Sequence, residues 1–266
     1  MARVQPQILK SPQTSAFLPQ RPRPPRFPPL PHALVDIDYN APRDIGTFLE
    51  WSNAMGIQQA DGLQLTSDDD GVDIFAMTTQ DVPANTPVLM VPNNLVLSCR
   101  TAMQEIGRLE NAEERLVSAK ASDHVPHFYL FLYILREYER ADHQSPYHPW
   151  LNSLPRYYSN GASMTPFCFD CLPPFTGRLA RQERVQYLQF YQALKYVDFL
   201  SQSTTTSKAV TKWAFAGVYT RGFATPDGDF QVAPFAVFFN HHADPDVSLQ
   251  YDKDGNSYIV TNRDVP

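Results

Sequence analysis

The sequence predicts an α+β fold: a β-rich domain interrupted by a helical insertion, with a proline-rich tail in front. Three observations carry this expectation. Ten of the 24 prolines fall within the first 42 residues. Residues 126–218 read as successive helices, and the run from Phe128 to Leu135 is apolar all round. Near the end, two strand-like runs flank Asp254-Gly255, a strong hairpin signal.

The 266 residues allow one large domain or two small ones. Hydrophobic residues at 43% and aromatics at 12% suit a globular chain. No apolar run approaches the roughly 18 residues of a membrane helix, so a spanning helix is not expected. With 28 acidic against 22 basic residues the net charge is −6, which provides no footprint for general nucleic-acid binding. Three cysteines cannot build a disulfide framework and suit a reducing, intracellular compartment.

Residues 1–35 carry Arg3, Lys10, Arg21, Arg23 and Arg26 and no acid. Proline fixes φ and lacks a donor, so Arg21-Pro-Arg-Pro-Pro-Arg-Phe-Pro-Pro holds neither a helix nor a central strand. The expectation for residues 1–42 is a disordered, solvated tail with polyproline II character. A transit peptide and an SH3-type ligand are the alternatives. Cytoplasm, nucleus and plastid all stay open as compartments, and oligomeric state is not addressed.

Asp44 predicts a helix cap before Ile45, Phe48, Leu49, Ser52 and Met55, with an end near Gly56. An acidic turn follows over Ser67-Asp68-Asp69-Asp70-Gly71. Val88-Leu89-Met90-Val91, between Pro87 and Pro92, reads as a buried strand. A charged helix is expected from Thr101 through Leu109, and a buried one from Pro126. Pro146, Pro149 and Pro155 predict a loop. A long helix over 178–200 is expected to bury a stripe of Leu179, Val185, Leu188, Tyr191, Leu194 and Val197. Another helix covers about Lys208 to Val218, and the run from Phe230 to Phe239 reads as strand. The boundaries drawn are 43–125 for the first half of the domain, 126–212 for the insertion and 213–266 for the second half.

Gly-x-Gly-x-x-Gly, the P-loop, the Gly-x-Ser-x-Gly elbow and His-Glu-x-x-His are absent. Cys168-Phe-Asp-Cys171 has half-zinc-site spacing, but Cys99 is the one other cysteine, so two small buried apolar side chains are expected instead. Asp252-Lys-Asp-Gly-Asn256 fails the calcium-loop register and reads as a turn. Asn240-His241-His242-Ala-Asp244-Pro-Asp246 is the densest polar cluster and follows an apolar run, a setting where sites are built. Two histidines and two aspartates could ligate a metal, but neighbours in an extended chain point to opposite sides.

Thr220-Arg221-Gly-Phe223, Val232-Ala-Pro234-Phe and Phe239-Asn240-His241-His242 together resemble the Ser-Arg-x-Phe, Leu-x-Pro and Asn-His-Ser core of a SET domain. The type resembled is that of Rubisco large-subunit lysine methyltransferase and actin-histidine methyltransferase, which carry a helical insertion. Phe48-Leu49-Glu50-Trp51, Asp81-Val-Pro-Ala-Asn-Thr-Pro-Val-Leu-Met-Val-Pro92 and Trp150-Leu-Asn-Ser-Leu-Pro155 resemble further stretches in the same order. The resemblance implies a SET fold, S-adenosyl-L-methionine as cofactor, no metal, and methyl transfer to a side-chain nitrogen of a protein substrate, with lysine favoured over histidine. It implies cofactor contacts at Arg221, Asn240 and His241 and at the upstream stretch Thr86, Pro87 and Val88. An arginine fork suits the cofactor carboxylate.

This sequence departs from the family pattern at Asp73, Thr86, Val237 and His242. The family's active-site tyrosine would lie beyond Pro266, so the chain as given is expected to be truncated, to bind cofactor weakly and to turn over little. A degenerate SET-like module that binds a protein without catalysis is the rival reading. A metal hydrolase around His241, His242, Asp244 and Asp246 is a third.

Overall fold

The computed structural model describes residues 34–69 and 71–266. Residues 1–33 of the tail expected over 1–42, and Asp70 of the acidic turn, lie outside the described residues. The rest of that tail is not solvated throughout, since Val35 is buried in the core and Ile37 packs against it.

Helix α1 (Ile45–Ala54) starts where the Asp44 carboxylate accepts from the Thr47 backbone N–H, and Gly56 turns the chain away at φ +83°. Strands β1 (Gln58–Gln59), β2 (Leu63–Thr66), β3 (Phe75–Thr78) and β4 (Pro87–Val91) follow. Then come β5 (Leu97–Ser98) and α2 (Cys99–Ile106), capped by the Ser98 hydroxyl. The charged helix expected through Leu109 is broken at Gly107, φ +78°. A separate α3 (Glu110–Ser118) begins after the Leu109 N–H donates to the Tyr129 hydroxyl.

The insertion opens with α4 (Val125–Gln144), whose Phe128, Leu130, Phe131, Leu132 and Leu135 are fully buried. Each such side chain contributes roughly 1.5–3 kcal/mol of burial. The loop expected around Pro149 instead contains α5 (His148–Ser153), because proline is accommodated in a first helical turn. A short α6 (Pro166–Cys171) was equally unmarked by periodicity. It lies at the surface, so Cys171 is exposed and Cys168 half-buried, correcting the expectation that both pack inside.

Helix α7 (Pro174–Ala193) begins earlier than its periodicity suggested. Its buried face is Gly177, Ala180, Tyr187, Phe190 and Ala193, whereas Leu179, Val185 and Leu188 are 44–53% exposed. The expected stripe holds at its far end, where Leu194 and Val197 are buried and Tyr191 packs on the core, and fails at its start for a geometric reason. Repeated steps of three residues drift backwards around a helix of 3.6 residues per turn, so those positions never shared one face. Helices α8 (Gln202–Thr206) and α9 (Lys208–Arg221) complete the block, with α9 packed against α4.

The second half returns to strands: β6 (Phe223–Ala224), β7 (Phe230–Val232), β8 (Val247–Tyr251) and β9 (Ser257–Thr261). The strand expected through Phe239 stops at Val232. Pro234 cannot donate to a ladder, Phe235 sits at φ +72°, and a 3-10 turn spans Ala236–Phe238. Gly255 at φ +80° turns the β8–β9 hairpin as expected. The sheets are β1-β4-β9-β8, β2-β3 and β5-β7-β6. Strand β9 pairs antiparallel with β4 and β7 with β5, so the two halves of the β-region close on each other across the insertion. Phe48 of α1 packs against both Phe235 and Phe238, seating the turn before Asn240 on the core. Among the described residues no helix is long and apolar enough to cross a membrane.

Candidate functional site

Arg221 occupies the last turn of α9, where a cation complements the helix carbonyls. Gly222 follows at a place with no room for a side chain: a Cβ there would lie 2.1 Å from Phe230 Cε1 and 2.7 Å from the Val218 carbonyl oxygen. The close approach directs the chain into β6 and aims Arg221 inward. Its Nη1 donates to the Val237 carbonyl at 2.8 Å, its guanidinium lies 5.8 Å from the centre of the Tyr158 ring, and its buried Nε has no partner. The Tyr158 hydroxyl is also buried without a partner.

Arg221, Asn240 and His241 meet in one cleft of about 310 Å3, walled by Phe239, Val247 and Leu249. Asn240 and His241 are exposed at its edge. Thr86, Pro87 and Val88 do not line this cleft. Thr86 stands just before β4 and Pro87 and Val88 begin it; the Thr86 N–H donates to Thr261 Oγ1 and Val88 is buried in the core.

Sequence reasoning did not single out Arg43. Its Nε donates to the Ser153 carbonyl at 2.7 Å and its Nη1 to the Val72 carbonyl at 3.0 Å, tying the β2–β3 connection to α5. Burial lowers its pKa to about 10, with Tyr158 opposing and Arg221 and Arg156 adding to the fall. Arg156 donates to the Pro42 and Asn152 carbonyls at 2.6 and 2.9 Å. Burial holds the Tyr158 phenol above its ordinary pKa, while Arg221 and Arg43 pull it back. Three guanidiniums therefore gather around one tyrosine, and among the described residues none of them has a carboxylate within ion-pairing distance. A low-dielectric cationic cluster of this kind, with an open guanidinium N–H, suits an anionic ligand group.

The Asp244 and Asp246 carboxylates are both taken by Arg263, each at 2.6 Å. His242 Nδ1 lies 2.8 Å from the Asp244 carbonyl oxygen. Among the described residues no three His, Cys, Asp or Glu side chains are grouped to hold a metal ion. The Asp252 carboxylate accepts from the N–H groups of Asp254 and Asn256, closing its own turn.

No family model matches the chain, and no curated protein matches it in sequence. Solved structures do resemble it. One is the SET domain of LSMT bound to lysine and AdoHcy, with a TM-score of 0.64 at 16% identity over 84% of this chain and 50% of that one. Another is Rubisco LSMT bound to sinefungin and monomethyllysine, with a TM-score of 0.61 at 17% identity over 82% of this chain and 49% of that one. A third, Rubisco LSMT bound to AdoMet, scores 0.60 at 16% identity. This chain spans about half the length of the solved structures it matches. Likeness at this level is one of fold, with strands from both ends of the chain pairing across a helical block: the chain has the SET fold.

Proposed function

We propose that this chain is an S-adenosyl-L-methionine-dependent protein N-methyltransferase acting on a lysine side chain. The observation that carries the proposal is Arg221, whose buried Nε is unpartnered beside a cleft that also presents Asn240 and His241. The donor set fits the cofactor's amino-acid end: the Arg221 guanidinium would hold its carboxylate, and Asn240 and His241 would line the rest of that end. When bound, the cofactor supplies a methyl group on a sulfonium centre. The chain's own part is positioning. Val237 fixes the Arg221 fork through its carbonyl, Tyr158 supports the guanidinium plane, and Phe239, Val247 and Leu249 keep the cleft apolar. The solved structures that share the fold are described as bound to AdoMet, AdoHcy, lysine and monomethyllysine, which supports both cofactor and target.

A second reading, a SET-like module that binds a protein without catalysis, draws support from Asp73 and Val237. Asp73 places an exposed side chain where the family pattern has glycine, and Val237 offers the site only its carbonyl. Calorimetric titration of S-adenosylhomocysteine separates the two. Saturable binding, weakened about tenfold by Asn240→Ala, supports the methyltransferase. Absence of binding by a folded chain leaves the module. Transfer of labelled methyl to a lysine-containing protein then tests the reaction itself.

A further inference from the structure

A second cleft, of about 720 Å3, runs between the end of α3 and the outer face of α7, and shares no residue with the Arg221 cleft. Its walls carry Lys120, Arg178 and Arg181, and no carboxylate lines it. Lys120 is presented from a left-handed turn at φ +60°, and among the described residues its ammonium has no partner. Arg178 rests over the Phe175 ring at 5.4 Å. Arg181 reaches an acid only at 3.9 Å, the exposed Asp170. All 28 acids but only 17 of the 22 basic residues lie beyond residue 35, a net of −11, so a cluster of cations without acids stands out there.

The floor of the cleft is equally particular. The Nε2 of Gln186 donates to the Tyr219 hydroxyl and that of Gln189 to the Ala119 carbonyl, which orients both carboxamides and leaves their oxygens as acceptors. Val185, 53% exposed, lies on the same helical stripe as Arg178, Arg181 and Gln189. The apolar residue that the sequence assigned to the core is thus part of an outward, cationic surface.

We propose that this cleft docks an acidic segment of a protein partner. Carboxylates would meet Lys120, Arg178 and Arg181, an apolar side chain would sit on Val185, and peptide N–H groups would reach the glutamine oxygens. A concave groove favours a peptide over a flat membrane, and the net negative charge of the chain disfavours a nucleic acid.

The test is fluorescence anisotropy of the full chain with a short labelled peptide of alternating glutamate and leucine, at low salt. Binding is expected, with an affinity that falls as salt rises. The double variant Lys120→Glu/Arg178→Glu, or the milder Lys120→Gln/Arg178→Gln should charge reversal unfold the chain, is expected to weaken it about tenfold or more. Arg108→Glu, at another exposed site, and Asn240→Ala in the Arg221 cleft are expected to leave it unchanged. The proposal is overturned if the double variant binds as tightly as the parent, or if Arg108→Glu loses as much. It is also overturned if a phosphatidylserine vesicle or a single-stranded oligonucleotide binds more tightly than the peptide with the same dependence on Lys120 and Arg178.

Discussion

The guanidinium of Arg43 lies 5.6 Å from the centre of the Phe238 ring while its N–H groups hold the Ser153 and Val72 carbonyls. One side chain thus ties α5, the β2–β3 connection and the turn before Asn240. Arg43→Ala would leave two carbonyls without a donor and the ring without its cation. The expected cost is about 1–3 kcal/mol in denaturant unfolding, with weaker S-adenosylhomocysteine binding. Arg43→Lys should not restore both contacts, because an ammonium lacks the planar fork. Full stability in either variant would show that these contacts are idle.

Gly222 tests how tightly the Arg221 turn is packed. Gly222→Ala would set a methyl 2.1 Å from Phe230 Cε1. Overpacking of this kind costs about 1–3 kcal/mol, and the movement that relieves it would shift Arg221. Chemical denaturation together with ligand titration checks both effects; an unchanged midpoint would contradict the packing described.

Glu137 is 1% exposed on α4 and accepts from Arg140 at 2.9 Å and Ser145 at 2.8 Å, with Arg136 at 3.3 Å. Arg140 is itself partly exposed, so the lost pairing is screened on that side. Glu137→Ala is expected to cost about 2–4 kcal/mol. Glu137→Gln should cost less, since an amide can still accept from Ser145. Equal losses in the two variants would mean that the negative charge matters and the hydrogen bond does not.

His127 stacks on Tyr219 at 5.4 Å with planes 9° apart and lies 4.6 Å from Phe230, and the Nδ1 atoms of His124 and His127 are buried without partners. Burial lowers both imidazole pKa values below the ordinary 6.5, and the neighbouring His124 lowers that of His127 further. A lowered folded value means that the folded state binds fewer protons than the unfolded one. The stabilisation is complete above pH 6.5 and is lost as pH falls through the folded value. The melting temperature should therefore fall more steeply as the pH drops below 6.5 in the parent than in His127→Gln. Parallel profiles would refute this.

Much of the fold was legible in local chemistry. Asp44 and Gly56 bound α1, Asp254-Gly255 turned the last hairpin, and the apolar run from Phe128 filled the core. Each of these signals acts within a few residues of itself. The misreadings are mixed. The first-turn proline of α5, the drift of three-residue steps around α7 and Pro234 after β7 were local signals too, whereas the burial of Val35 and the exposure of Cys171 depend on which neighbours arrive.

The site divides the same way. The resemblance carried by the sequence linked Arg221, Asn240 and His241 and gave their place in the order of elements, and the three line one cleft. That Thr86–Val88 stays apart while Arg43, Arg156 and Tyr158 join Arg221 was decided only by tertiary structure. The reason is physical. A buried guanidinium is placed by carbonyls and rings from distant segments, and no local pattern of side chains encodes which distant carbonyls will be left to accept from it.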